Sequence, residues 1–581
     1  MRKEAIHKQL KLMILAFALI FIGSGIAAYV QTSGGAVKVS DIRIEAKDGS
    51  QLSALLYKPK SASDANPAPG VLATHGYINS RETQSGFAIE LSKRGYVVLA
   101  IDQRGHGYSD APTFANGFGA PTGLTYLRSL PFVDKTRIGL EGHSMGGWAS
   151  RAATLMLPND YRSIVLVGSS TAKLPFGDFR GSPTDPKNIA IVFSTYDEFA
   201  PLMWRTLPQD MAKSEDLKTL FGTEETVETE KLYGDISQGT ARKLYQPATT
   251  HPGDHISPEA ILNAVEWLDL TLDNASGIAP DSHTFLWKEI GTLIAFIGIV
   301  LLLFPVTKIL LNTSLFRTSL IKHAEAFQPQ KLWPLHATLA TLIPVATYFL
   351  FYNIGTVIFP GSPTWPQNIT NGIAIWALGN GLITIILGAL TWFTAKISGS
   401  AFTYFGLSMK PLEILKTLIL SIIVVGLLII LSHIIQSIFL VDFRYWVVAL
   451  KPPSLAQLKM IFVYWPVFAI FFLLLSANFA GLLRNNDNNL MKACGINSII
   501  CALGFPGLLV IQYTSLFATG ALLINEALMT IVALQFVPLL LIVACITTAC
   551  YQWTGRAYLG GFVSSLFITW YIVAGQATHV A

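Results

Sequence analysis

The segment Leu140-Glu141-Gly142-His143-Ser144-Met145-Gly146-Gly147 lies between a short apolar run, residues 137–140, and a helix-like run, Trp148 to Leu157. A strand that passes directly into a helix forces the residue between them into a tight, strained turn. Glycines on either side of that residue let the neighbouring backbone pack closely. The pattern Gly142-x-Ser144-x-Gly146 therefore predicts that Ser144 projects from the edge of a sheet as a nucleophile.

Charge divides the 581 residues into a polar block and an apolar block. Residues 286–581 hold only 20 of the 77 charged side chains, and 51% of the whole chain is hydrophobic. This chain is too apolar for a soluble protein and too long for one domain. The net charge of +5 comes with Lys and Arg that flank apolar spans, so it does not indicate nucleic-acid binding.

Cysteine occurs only in the apolar block. We interpret these side chains as small buried hydrophobic groups rather than as a metal site. They are Cys494, Cys501, Cys545 and Cys550.

The chain begins with a basic segment, residues 1–11, followed by a nearly continuous apolar run, residues 12–30. This pattern is typical of either a secretory signal peptide or an uncleaved anchor. The run is long for a signal peptide, and no small-x-small cleavage site stands out. We therefore predict a transmembrane anchor over residues 1–31, with its basic flank in the cytoplasm.

Short apolar strands then alternate with helices. Residues 37–58 predict a β-hairpin around the turn Lys47-Asp48-Gly49. The alternation predicts a mostly parallel sheet with helices on both faces. The further strands are expected at 71–73, 96–101, 163–167 and 189–194.

Three motifs follow successive predicted strands: Thr74-His75-Gly76-Tyr77, Asp102-Gln103-Arg104-Gly105-His106-Gly107-Tyr108-Ser109, and Gly142-His143-Ser144-Met145-Gly146-Gly147. In this order and spacing, residues 37 to about 272 resemble the α/β-hydrolase superfamily. The resemblance is greatest to serine hydrolases grouped with the serine aminopeptidases and monoglyceride lipases. It implies an α/β-hydrolase domain over residues 37–275, with Ser, acid and His in that chain order.

A serine hydroxyl is a poor nucleophile until a base removes its proton, and an acid must orient that base. By the resemblance, Asp197 is the acid, because it follows the strand at 189–194, and Glu198 is the alternative. The base is expected in the loop before the last helix. His255 fits best there, and His251 is the alternative.

Acyl transfer also needs hydrogen-bond donors for the oxyanion. The resemblance implies the backbone N–H groups of Tyr77 and Met145. His75 and His106 are expected to hold loops beside the turn. No metal or organic cofactor is implied.

The connection from Asp197 to His255 is longer than is usual for the fold. Its extra segment, residues 203–246, is rich in charge and is interpreted either as a lid over the substrate or as a solvated surface insertion. The usual cap position, residues 170–188, holds only a short loop rich in Gly and Pro.

The apolar block, residues 284–581, predicts eight transmembrane helices, each with about the 20 residues that cross hydrocarbon. With the N-terminal span they make nine. The expected spans are 285–305, 333–353, 371–394, 415–440, 460–483, 495–514, 528–551 and 558–577.

Loop charges predict the orientation. Loop 354–370 has no charge and fits the outer side, whereas loops 306–332 and 395–414 are basic and fit the cytoplasmic side. Loop 441–459 falls outside although it carries Arg444, Lys451 and Lys459, so it contradicts the rule. We predict that the hydrolase domain lies outside the cytoplasm. The basic residues that fit the rule are Lys308, Arg317, Lys322, Lys331, Lys396 and Lys410.

Together these features predict a multi-pass membrane serine hydrolase that cleaves an ester, thioester or amide of a small-molecule, lipid or peptide substrate, with the bilayer as its other partner. The rival hypothesis is a transporter or membrane scaffold whose hydrolase-like domain only binds. Polar residues within or beside spans, His433, Gln436 and Glu526, favour transport, although such residues also serve helix packing. The sequence does not indicate an oligomeric state.

Overall fold

A computed structural model describes residues 2–174, 177–274, 276–317, 332–394, 400–484 and 489–579 of the chain. Lys322, Lys331 and Lys396, which support the predicted orientation, lie outside the described residues. The strands are β1 (Val37–Glu45), β2 (Gln51–Pro59), β3 (Ala68–Thr74), β4 (Val97–Ile101), β5 (Val133–His143), β6 (Ser163–Val167), β7 (Lys173–Leu174), β8 (Gly177–Asp178), β9 (Ile189–Val192), β10 (Arg242–Tyr245), β11 (Phe443–Tyr445) and β12 (Val448–Leu450).

The helices fall into two groups, one around the main sheet and one in the apolar block. The first group is α2 (Ser85–Lys93), α3 (Ala120–Ser129), α4 (Met145–Met156), α5 (Ala200–Trp204), α6 (Glu215–Phe221) and α7 (Pro258–Thr271). The second is α1 (Arg2–Gln31), α8 (Phe285–Leu311), α9 (Trp333–Ala346), α10 (Tyr348–Ile358), α11 (Asn368–Thr394), α12 (Ala401–Tyr404), α13 (Pro411–Phe439), α14 (Leu455–Ala480), α15 (Leu490–Ala502), α16 (Gly504–Thr519), α17 (Ala527–Thr554) and α18 (Tyr558–Gly575).

The main sheet has eight strands in the order β1-β2-β4-β3-β5-β6-β9-β10. β1 and β2 form the predicted hairpin, and the strands from β4 to β10 in that order pair in parallel. Successive residues of β3 enter different apolar cores: Val71 packs with α2 and α7, and Leu72 packs with α3 and α4. The predicted mostly parallel sheet, covered on both faces, is confirmed.

The segment 203–246 is more integrated than either a lid or a surface insertion. Its last residues form β10, which pairs in parallel with β9 at the edge of the sheet. Leu217 and Leu220 of α6 are fully buried in the core. The charged stretch 224–231 is mostly solvent-exposed.

Within the described residues, seven single helices are long and apolar enough to cross a membrane. Two further pairs of helices are bent, and if each pair is counted as one span, the number of candidate spans is nine. The bent pairs are α9 with α10, at 48°, and α15 with α16, at 44°. Pro344 and Pro506 lie close to the two breaks. Proline lacks the N–H that a helix needs, which accounts for bending where straight spans are predicted.

A buried network of ion pairs and hydrogen bonds joins the β11–β12 hairpin to residues 80–83, beside the main sheet. Arg444 pairs with Asp442 at 2.7 Å and donates to Thr83 Oγ1 at 3.0 Å. Lys451 pairs with Glu82. Buried charges need such partners. Two of the basic residues that contradict the predicted orientation, Arg444 and Lys451, thus have carboxylate partners, Asp442 within the hairpin and Glu82 beside the main sheet.

Candidate active site

Ser144 occupies the turn between β5 and α4 with φ 56° and ψ −124°, a strained conformation for a residue with a side chain. Its N–H donates to the carbonyl of Val167 at 2.8 Å, which ties the turn to β6. A Cβ on Gly146 would lie 2.0 Å from the carbonyl oxygen of Thr74. Only glycine at position 146 lets α4 begin this close to β3, as the sequence pattern predicts.

The carboxyl of Glu141 is buried in β5, three residues before Ser144. Both of its oxygens accept from Gln84 Nε2, at 2.9 and 2.8 Å. Burial raises the pKa of Glu141 to about 8, and the Gln84 hydrogen bond only partly opposes this. Near neutral pH the folded protein therefore holds a proton that the unfolded chain releases.

We expect Glu141→Gln to remove a pH-dependent loss of stability. Because the folded pKa is raised, this stability is fully present below the ordinary value of 4.5 and is lost as pH rises from there through about 8. A neutral amide avoids the ionisation penalty, which is on the order of a few kcal/mol. Thermal unfolding in detergent at pH 5, 7 and 9 should show that the unfolding temperature of the variant increases relative to that of the wild type as pH rises. Equal pH profiles would contradict this assignment.

His251 is the histidine that contacts Asp197. Its Nδ1–H donates to Asp197 Oδ2 at 2.8 Å, and the other carboxylate oxygen accepts from Phe199 N–H at 2.7 Å. Burial lowers the pKa of His251 to about 4, so the imidazole is neutral near neutral pH. With Nδ1 hydrogen-bonded to Asp197, Nε2 is the ring nitrogen that is left to accept a proton.

His255, the base expected from the sequence, does not contact Asp197. Its ring lies 4.0 Å, centre to centre, from that of His143, and neither of its nitrogens has a hydrogen-bond partner among the described residues. The physical reason is the single 3₁₀ turn Pro252–His255. Four residues along such a turn, with three residues per turn, point in different directions, so only His251 faces the acid.

Glu198, the alternative acid, is hydrogen-bonded to the backbone of His251 and not to its ring. Its Oε2 accepts from the His251 N–H at 2.8 Å, and its Oε1 accepts from the Tyr513 hydroxyl of α16 at 2.7 Å. Trp446, at the tip of the β11–β12 hairpin, donates from Nε1 to the Pro252 carbonyl at 2.6 Å. Two residues of the apolar half thus hold the loop that carries His251.

Ser144 and His251 line the same cavity, of about 250 Å³. A single water needs only about 10–15 Å³, so the cavity has room for a substantial ligand. No hydrogen bond joins these two side chains among the described residues, and in free enzymes this contact is often long until substrate binds. Both halves line the cavity, and the apolar half supplies Trp446, Val447, Leu528, Ile531 and Gln535.

Tyr77 and Met145, the expected oxyanion donors, also line this cavity. Neither backbone N–H has a hydrogen-bond partner within the described part of the chain. Each is therefore available to a ligand. The Tyr77 hydroxyl is hydrogen-bonded to His579 Nε2, which fixes the loop after β3 to the segment after α18.

His75 and His106 hold loops. His75 Nδ1–H donates to the Gly76 carbonyl at 2.7 Å, and its Nε2 accepts from Gln103 N–H at 3.0 Å. His106 Nδ1–H donates to the Arg104 carbonyl at 2.9 Å. Neither lines the cavity of Ser144.

One cluster among the described residues has the composition of a metal site. Ligand atoms of His143, His251 and Asp254 lie within 4.8 Å of one another. All three members already have protein partners. His143 Nε2–H donates to the His251 carbonyl at 3.1 Å, His251 bonds to Asp197, and Asp254 accepts from the Ser194 hydroxyl. We interpret the cluster as the packing of the His251 loop against β5 and β9.

Comparison with known proteins supports the fold of this half. Residues 69–197 match the family described as alpha/beta hydrolase fold. This half of the chain has an α/β-hydrolase fold. The hydrolase half is similar to dipeptidyl peptidase 8 from Mus musculus and Homo sapiens, with 31% identity over 151 residues. That alignment covers 23% of this chain, which spans only 17% of the length of those relatives.

Solved structures resemble the hydrolase half in fold alone. An esterase from Pyrococcus furiosus matches at 20% identity and a TM-score of 0.30, over 42% of this chain and 95% of its own. Dipeptidyl peptidase 4 from Porphyromonas gingivalis matches at 14% identity and a TM-score of 0.32. That match covers 41% of this chain and 36% of the peptidase chain.

Proposed function

We propose that this protein is a multi-pass membrane serine hydrolase that cleaves an ester, thioester or amide through an acyl-enzyme. Ser144 is the nucleophile, His251 the base and Asp197 the residue that orients His251. The observation that supports this most directly is the His251–Asp197 hydrogen bond, at 2.8 Å, beside the cavity that Ser144 also lines. The position of the hydrolase domain outside the cytoplasm stays a prediction from the loop charges.

In the proposed mechanism, His251 Nε2 takes the proton from Ser144 Oγ as that oxygen attacks the substrate carbonyl carbon. The Nδ1–H of His251 keeps its hydrogen bond to Asp197, which stabilises the imidazolium that forms. The N–H groups of Tyr77 and Met145 donate to the carbonyl oxygen as it gains charge. His251 then passes the proton to the leaving oxygen, sulfur or nitrogen, and that bond breaks.

The second half of the cycle repeats these steps with water. His251 removes a proton from the water as its oxygen attacks the acyl carbon. The tetrahedral intermediate collapses, the Ser144 ester bond breaks, and His251 returns its proton to Ser144 Oγ. The acid leaves, and no metal or redox step is needed for atoms and charges to balance.

Two of the three polar residues that favoured transport are hydrogen-bonded to other side chains of the protein. Gln436 Oε1 accepts from the Tyr108 hydroxyl of the hydrolase half at 3.2 Å, and Glu526 Oε1 accepts from Asn353 at 2.7 Å. His433 is exposed on the surface of α13. These contacts agree better with helix packing than with a transport path, so hydrolysis is the function we favour.

The test is to map the adduct of a fluorophosphonate on the purified full chain in detergent. We expect phosphonylation of the Ser144 hydroxyl with loss of fluoride. The buried Ser169, which lies beside Gly147, should remain unmodified. Heat-denatured protein is the control and should not react. No adduct in the folded protein, or equal labelling after denaturation, would contradict the proposal.

A further inference from the structure

We infer that the cavity beside Ser144 is an acyl-chain site built jointly by the two halves of the chain. The inference rests on the proposed function and names its substrate class: an amphipathic molecule with a long hydrocarbon acyl chain and an uncharged polar group. The wall contributed by the apolar helices selects the chain.

The hydrolase half supplies one apolar wall. Met145 and Trp148 begin the helix that follows Ser144, and Phe199, Leu202 and Met203 come from the segment after Asp197. Together they offer hydrocarbon and aromatic surface next to the Ser144 hydroxyl. Such surface binds methylene groups and gives a charged acyl group no partner.

The apolar half supplies the facing wall. Leu528 and Ile531 lie in the first turns of α17, and Trp446 and Val447 form the tip of the β11–β12 hairpin. A hydrogen bond fixes the position of this wall relative to His251, because Trp446 Nε1–H donates to the carbonyl of Pro252, the residue after His251. A chain that binds at Ser144 must therefore contact residues outside the hydrolase fold.

The end of the cavity that meets a second, smaller cavity carries polar side chains as well as Trp446 and Val447. Asn79, Thr83 and Gln535 line it and also line an adjacent cavity of about 40 Å³, which has room for a few waters or a small polar group. Arg444 and Lys451 reach this second cavity, but both are paired with carboxylates, Asp442 and Glu82. Because these cations are already neutralised, the end favours a hydroxyl or amide over a phosphate.

The apolar end reaches the protein surface. Leu202 lines the cavity, yet 51% of it is exposed. A hydrocarbon chain can thus leave the cavity past Leu202, so the site does not limit the chain to a few carbons.

The test compares labelling rates of two fluorophosphonates, one with a methyl and one with a decyl chain, on the full chain in detergent. Each buried methylene strengthens binding by about fourfold, so we expect the decyl probe to react at least about 100-fold faster. Ile531→Trp, which fills the cavity beside Ser144, should slow the decyl probe by at least about tenfold and the methyl probe by less than about twofold.

Two further variants separate this effect from damage to the fold. Leu541→Trp changes an exposed residue of the same helix outside the cavity and should leave both rates unchanged. Ile531→Ala only removes volume and should keep or increase the preference for the long chain. Equal rates for the two wild-type probes, or equal slowing of both by Ile531→Trp, would overturn the inference. Failure of both probes on wild type would instead overturn the proposed function.

Competition during decyl labelling identifies the source of the chain. Protection by a long-chain glycerol ester presented in vesicles would assign a bilayer substrate, and protection by a water-soluble long-chain acyl thioester would assign a soluble one. Protection by neither would contradict an acyl site.

Discussion

Ser144→Ala is expected to lower kcat/KM for an activated ester by a factor on the order of 10⁴ to 10⁶, because it removes the attacking oxygen. The residual rate would come from the oxyanion donors and from binding alone. Alanine keeps the Cβ of serine, so the backbone strain at φ 56° is unchanged and the turn should fold as before. The measurement is hydrolysis of a p-nitrophenyl ester by the purified protein in detergent.

Ser169→Ala is the matched control. Ser169 is fully buried and packs beside Gly147 at the start of the same helix, but it is not part of the cavity lining. We expect it to keep activity within about threefold of wild type, as is usual for a substitution that removes one hydroxyl outside the site. If Ser144→Ala kept a comparable fraction of the activity, the proposed nucleophile would be wrong.

His251→Ala is expected to cause a loss of similar size, whereas His255→Ala should cost less than about tenfold. The two histidines are four residues apart in one loop and both line the cavity, so the pair is internally controlled. Only His251 has the hydrogen bond to Asp197 that orients an imidazole as a base. His255 instead packs against the His143 ring.

The comparison should be made on proteins with matched thermal unfolding, since one variant shortens a buried side chain and the other a partly buried one. A larger loss from His255→Ala than from His251→Ala would restore the base expected from the sequence. It would also require the loop 251–255 to rearrange when substrate binds.

Local sequence patterns were sufficient for most of the fold prediction in the hydrolase half, residues 37–275. Strand alternation, the turn at Lys47-Asp48-Gly49 and the Gly142-x-Ser144-x-Gly146 pattern depend on neighbouring residues, and the sheet and the strained serine follow them. The choice between His251 and His255 could not be made in this way. It depends on the direction of a single 3₁₀ turn, which no residue spacing encodes.

No local sequence pattern indicated that the apolar half, residues 284–581, contributes side chains to the cavity. Leu528 and Ile531 belong to a uniformly hydrophobic segment, in which a residue that faces a substrate cannot be distinguished from one that faces a helix. Arg444 and Lys451 contradict the charge rule, and the structure shows carboxylate partners for both. Asp442, the partner of Arg444, is only two residues away, whereas Glu82, the partner of Lys451, is 369 positions away.

The sequence by itself determined the class of fold, the serine that occupies the strained turn, the position of Asp197 and Glu198 after β9, and the division into a charged half and an apolar half. These are properties of short segments, whose backbone preferences and hydrophobic periods act over a few residues. Only the tertiary structure decided which imidazole meets Asp197 and which apolar side chains surround Ser144. Both depend on packing between segments far apart in the chain, where the relative orientation of whole elements sets the contacts.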